Sequence, residues 1–252
     1  MTAESPLVPF KPRSARNGMV CSIDHLASGA GVSVLRKGGS AADAAIAASA
    51  VLAVTSQHMC GVGGDLWALV HVPGEPKPFA LNASGHSGSG AEISSLHRDG
   101  LADMPFHQDP RSIPIPGCVD GWLTLHQRFG RLPLQDVLGD AIDLAIEGFP
   151  ISAECALATK LLKEVDNTQD YFASGPPQVG QLIRRTKLGK TLQELVRGGR
   201  ESFYLGKFGE DLVSFGAGEY SPDDLLTSQA DWVEPLSVEA FGQKIWSLPP
   251  NS

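Results

Sequence analysis

The residues best suited to chemistry lie in a short glycine-serine segment, Ala83-Ser84-Gly85-His86-Ser87-Gly88-Ser89-Gly90. Segments at strand ends carry binding and catalytic groups more often than cores do. Ser84 brings a hydroxyl, and His86 a ring that is mostly neutral at pH 7. His86 reads equally as a solvated loop histidine and as a substrate contact. Thr2 is a second candidate, because loss of Met1 would join a hydroxyl nucleophile and an amine base on one residue. Its surroundings, TAESPLVPFKP, read instead as a floppy arm over residues 1–17. The seven histidines show no H-x-H or H-x-x-x-H spacing, so neither a zinc site nor a cofactor is expected.

Positioning such a loop requires elements on either side of it. Leu26, Ala30, Val34 and Leu35 recur at helical spacing, and Gly38-Gly39 stops that helix. Ser40 then offers an N-cap oxygen with Asp43 three residues on, a near capping box. From Ala41 to Val54 nearly every residue is small and apolar, as in a helix buried on all sides and too alanine-rich to span a membrane. Cys60-Gly61-Val62-Gly63-Gly64-Asp65 follows, and then a strand from Leu66 to Val72. A phosphate loop needs strand, glycines and helix in that order, so nucleotide binding is not expected; the glycines suit tight backbone crossing. Pro73-Gly74 turns the chain into a second strand near Pro78 to Asn82, a hairpin-like pair.

Further on, Ile113-Pro114-Ile115-Pro116 suits an extended edge segment, and Gly117 opens a helix whose buried side includes Val119 and Trp122. Helical spacing recurs over Leu134 to Glu147 before Gly148, and more helices are expected over 151–165, Leu188 to Val196 and Lys207 to Phe215. Ser221-Pro222 caps another, and strands are expected at Trp232 to Leu236 and Gln243 to Ser247.

Composition narrows the function classes. At 252 residues the chain can bury a substantial core, and its net charge of −8 argues against nucleic acid. Cys21, Cys60, Cys118 and Cys155 have no C-x-x-C pairing and read as buried reduced thiols. The first residues carry no apolar signal core, so a cytoplasmic location and no membrane partner are the expectations.

The run GMVCSIDHLASGAGVSVLRKGGSAADAAIAASAVLAV, followed by GVGGDLWALV, resembles the opening of the γ-glutamyltranspeptidase family. Ser40 stands where that family usually has asparagine. IPGCVDGW, then FGRLP, and later a phenylalanine-tyrosine pair before Gly206 resemble further family segments in the same order. The resemblance implies an α+β fold, the helix-rich part of a four-layer αββα N-terminal-nucleophile hydrolase sandwich. Residues 18–252 would then be the N-terminal portion of one domain. It also implies a γ-glutamyl amide hydrolase or transferase with an autocleaved small subunit from the same precursor. The nucleophile would be a threonine beyond Ser252, so residues 1–252 alone should be inactive.

By the same resemblance, an arginine that forks onto the substrate carboxylate belongs in the 84–86 region. Aligning Ala80-Leu81-Asn82 with the family strand puts Ser84 in that slot; the pattern N-x-S-G-R-A-P puts His86 there. Neither is a permanent cation, and Arg98 and Arg111 are weaker substitutes. This departure leaves open a related amidohydrolase on another small amide, of oxamate or acyl-side-chain type. A non-catalytic scaffold is the other alternative.

Overall fold

A computed structural model describes residues 13–105, 109–162, 165, 167–172 and 175–250. Thr2, most of the proposed arm and the last two residues fall outside these. Helix α1 (His25–Arg36) starts at Asp24, whose carboxylate accepts from Leu26 N at 2.7 Å. Helix α2 (Ala41–Thr55) starts at Ser40 with both halves of a capping box formed by Ser40 and Asp43. As expected, α2 is buried on nearly all sides, packed against α1, α5 (Leu134–Glu147) and α4 (Cys118–Phe129). The inner stripe of α1 is Ala27, Ala30, Gly31 and Val34, whereas the expected Leu26 and Leu35 are only partly buried. Close packing explains the shift: a Cβ on Gly31 would lie 3.0 Å from Ala44 O, so only small residues fit between these helices.

Strands β1 (Leu66–Val70) and β2 (Phe79–Ala83) pair antiparallel, with Leu66 opposite Ala83 and Val70 opposite Phe79. β1 thus ends two residues before the expected Val72. A third strand, β5 (Asp231–Val233), joins the other edge of β2, giving the order β1-β2-β5. One face of this sheet presents Leu66, Ala68, Leu81 and Ala83 to α4, where Gly121 allows the close approach. Period-two alternation then sends Trp67, Leu69, Asn82 and Asp231 to the other face.

Around this frame lie α3 (Ile93–Arg98), β3 (Phe149–Pro150), α6 (Ala153–Ala158), α7 (Gln169–Phe172), β4 (Leu182–Ile183), α8 (Thr186–Tyr204) and α9 (Lys207–Phe215). A hairpin of β6 (Leu236–Ala240) and β7 (Gln243–Ser247) ends the described chain.

Several expectations are corrected or refined by the structure. The helix anticipated over 151–165 is one and a half turns of α6 followed by a 3-10 turn over Thr159–Leu162. The helix expected to stop at Gly198-Gly199 does break there, where Gly199 leaves helical geometry (φ 59°, ψ −147°), but a second helical segment that the spacing did not predict follows to Tyr204, and α8 comprises both. Glycine permits that turn, and the amphipathic partners Leu195 and Phe203 are buried on both sides of it. The segment capped by Ser221 is a 3-10 turn, Pro222–Leu226, and Pro235 separates β5 and β6 into different sheets. Among the cysteines, Cys118 and Cys155 are buried, but Cys21 and Cys60 are exposed; all four are free.

Among the described residues, no helix is long and apolar enough to cross a membrane.

Candidate functional site

The glycine-serine segment is strapped down at three points. His86 N donates to Gln229 Oε1 at 3.0 Å, and Ile115 N donates to His86 O at 2.8 Å. Ser89 donates through its backbone N (3.0 Å) and its hydroxyl (2.9 Å) to Asp224 Oδ2, and Gly90 N donates to Glu219 O. The glycines are needed for these contacts. Gly85 has φ +87°, and a Cβ there would sit 1.8 Å from Ile115 O; one on Gly88 would sit 1.9 Å from Glu219 O. By contrast, a Cβ on Gly61 or Gly63 would meet nothing within 4 Å. The tight crossing expected in the Cys60–Asp65 loop therefore occurs in the strap instead. That loop holds the start of α4 differently: Gly64 O accepts from Gly117 N and Cys118 N.

Ser84 is partly buried, with its N donating to Asn82 Oδ1 at 3.0 Å. His86 has a half-exposed ring whose Nε2 stands 3.3 Å from Asp231 Oδ2. His86 therefore lies beside the outer face of the β1-β2-β5 sheet, against a carboxylate. Neither arginine weighed as a substitute joins it. Arg111 is bound by Asp109 and by Asp99 (2.6 Å), which raise its pKa, and Arg98 donates to Ser94. Trp122 is a core residue as expected, fully buried, with Nε1 donating to Ser49 Oγ at 3.0 Å.

Behind the strap lies a polar group that the sequence reading passed over. Asp120, in the first turn of α4, is 2% exposed. Its carboxylate accepts from Arg200 Nε at 3.0 Å and from Gln229 N at 2.8 Å. Arg200 also donates to Leu225 O (2.8 Å) and Thr227 O, and its guanidinium lies over the Tyr204 ring. The Tyr204 hydroxyl donates to Pro116 O at 2.6 Å, and burial pushes its pKa up. Gln229 donates from Nε2 to Thr227 O and Asp224 O while its Oε1 receives His86 N. One local signal pointed there: an aspartate between Val119 and Trp122, on a helix face that is otherwise apolar.

Away from the strap, a cavity of about 330 Å³ is lined by Gln57, Cys155, Thr159, Tyr171 and Arg185. Tyr171 donates to Gln57 Oε1 and accepts from Arg185 there, and burial raises its pKa to about 12. Asp170 stands 3.4 Å from Arg185 Nε, so the cation already has a local partner.

A profile of the γ-glutamyltranspeptidase family matches residues 27–252. The chain belongs to this family, whose members are hydrolase and transferase enzymes. It is 36% identical to the glutathione hydrolase-like YwrD proenzyme of Bacillus subtilis (strain 168), over 93% of this chain and 46% of that protein. Against the oxamate amidohydrolase proenzyme of Klebsiella pneumoniae it is 34% identical, again over 93% and 46%. The solved γ-glutamyltranspeptidase from Pseudomonas nitroreducens superposes with a TM-score of 0.84 at 28% identity, covering 95% of this chain and 73% of that one. The chain thus spans about half the length of the curated relatives it matches.

Proposed function

We propose that the full-length protein is an N-terminal-nucleophile amide hydrolase or transferase in which residues 18–252 form the large-subunit part of a single domain. The observation that carries this reading is a pair of large apolar side chains exposed on the outer face of the β1-β2-β5 sheet. Trp67 and Leu69 on that face are 51% and 40% exposed, although the opposite face is packed on α4. An antiparallel sheet with a large apolar side chain on each face suits burial between two layers, and sheets stack face to face about 10 Å apart. A second sheet from a small subunit, cleaved from the same precursor, would cover Trp67 and complete a four-layer αββα sandwich. The naming of the relatives as proenzymes supports the same arrangement.

In this reading the nucleophile is a threonine beyond residue 252. Its α-amine takes the hydroxyl proton, the oxygen attacks the amide carbonyl, and the amine product leaves with that proton. Water then releases the acyl group as an acid, or an acceptor amine takes it in transfer. Ser84 and His86 face the substrate from the strap, and the primary substrate class is a γ-glutamyl amide. One observation favours a second class. Asp231, 3.3 Å from His86 Nε2, would compete with a substrate carboxylate for that ring. An acyl-side-chain amide without a carboxylate avoids that conflict, whereas oxamate, the other alternative, carries one and does not.

The test is direct. Full-length precursor and residues 1–252 are purified and assayed for hydrolysis of γ-glutamyl p-nitroanilide and oxamate. Turnover is expected from the processed precursor alone. Turnover by residues 1–252 overturns the proposal, as does a full-length protein that neither cleaves itself nor hydrolyses either amide.

A further inference from the structure

We infer that Gln229, anchored by the buried Asp120–Arg200 pair, is a positioning residue that sets where His86 stands in the substrate site. The inference rests on the reading of His86 as a substrate contact. Gln229 is 2% exposed, and both ends of its amide are committed: Oε1 receives His86 N at 3.0 Å, and Nε2 donates to Thr227 O at 2.9 Å. Its backbone N donates to Asp120 Oδ2 at 2.8 Å. Asp120 is fixed in turn by Arg200 from α8, whose guanidinium also holds Leu225 O and Thr227 O. Residues from α4 and α8 therefore hold the 225–229 segment, and from it Gln229 alone holds the backbone amide of the loop histidine. Two residues further on, Asp231 meets the ring of the same histidine. The chain from Gln229 to Asp231 thus holds His86 by its backbone at one end and by its imidazole at the other.

A loop built from serine and glycine loses much conformational freedom when it is ordered, so a buried acceptor aimed at His86 has a definite consequence. Without it, Gly85 can release His86 from Ile115, and the ring samples positions that do not meet substrate. The expected loss appears in substrate capture rather than in the chemical step.

The experiment uses the full-length precursor carrying Gln229→Leu, His86→Ala or both, with γ-glutamyl p-nitroanilide and oxamate as donors. Leucine is of similar size and removes the acceptor, together with the Nε2 donations to Thr227 O and Asp224 O. Gln229→Leu is expected to raise KM about tenfold, the scale of the one lost bond that reaches His86, with kcat within about twofold. Self-cleavage, which needs no donor substrate, should proceed as in the unaltered protein and reports that the variant folds. His86→Ala should raise KM comparably, and the double variant should match the single ones instead of multiplying them. A silent Gln229→Leu beside a damaging His86→Ala overturns the positioning role alone. So do multiplicative effects, or a loss confined to kcat. A silent His86→Ala overturns the underlying contact reading and this inference with it.

Discussion

Asp43 and Asp120 are both shut away from water, at 0% and 2% exposure, yet the two regions around them hold a carboxylate in different ways. At Asp43 one oxygen takes every contact. Oδ2 accepts from Ser40 N (2.8 Å), Arg131 N (2.9 Å) and Leu132 N (3.3 Å), while Oδ1 has no hydrogen-bond partner and stands 3.9 Å from His126 Nε2. At Asp120 both oxygens meet a guanidinium from a helix eighty residues away, and one also takes a backbone N–H. The first carboxylate caps α2 and ties down the turn before α5, so it serves the helical core. The second gathers α4, α8 and the 225–229 segment behind the strap, so it serves the candidate site. Capping needs an acceptor; gathering distant segments against a cation needs a charge.

That difference sets the largest predicted effect. Asp120→Asn keeps the shape but removes the charge facing Arg200, leaving a partly buried cation without its partner. The expected cost is about 3 kcal/mol, the lower end for breaking a buried pair. Asp43→Asn, with its amide oxygen placed where Oδ2 stands, keeps all three N–H contacts and should cost under about 1 kcal/mol. Asp43→Ala removes them, and with them the cap and the partners of two loop amides, for about 2–3 kcal/mol. Unfolding midpoints of the four full-length proteins check this ordering. Equal losses for the two asparagine variants would erase the distinction between cap and charge.

The same contrast explains what could be read from the chain. The capping box at Ser40 and Asp43 spans three residues, and the all-apolar run that follows speaks for itself, so α2 was legible to within a residue. The family resemblance likewise rests on contiguous motifs. The strap was not legible, because His86 meets Gln229 across 143 residues and Gly85 meets Ile115 across a crossing that no local spacing encodes. Glycines in a serine-rich run signal freedom locally, and only the tertiary contacts turn that freedom into close backbone approach. Arg200 stayed hidden for a related reason: it lies just past Gly198-Gly199, a pair that ends one helix, and the short helical segment that carries Arg200 gives no local signal of its own.

The smallest predicted effect concerns the far end of the strap. Burial alone would raise the pKa of Asp224, but hydrogen bonds from Ser221 and Ser89 outweigh that and hold it at about 2, below its ordinary 3.8. A carboxylate with a depressed folded pKa contributes stability above its unfolded value and loses it as pH falls through the folded one. The contribution of Asp224 should therefore be fully present at neutral pH and fade between about pH 4 and pH 2. Because the group lies at the surface and is only partly buried, screening keeps it small. Asp224→Asn should lower the unfolding midpoint slightly at pH 7, and the gap to the unaltered protein should close as the pH approaches 2. A gap that stays constant across that range would show that Asp224 steadies the strap by shape alone. The acidic end of the strap would then resemble Asp43, whose cap works through its acceptor, more than Asp120, whose partner requires a charge.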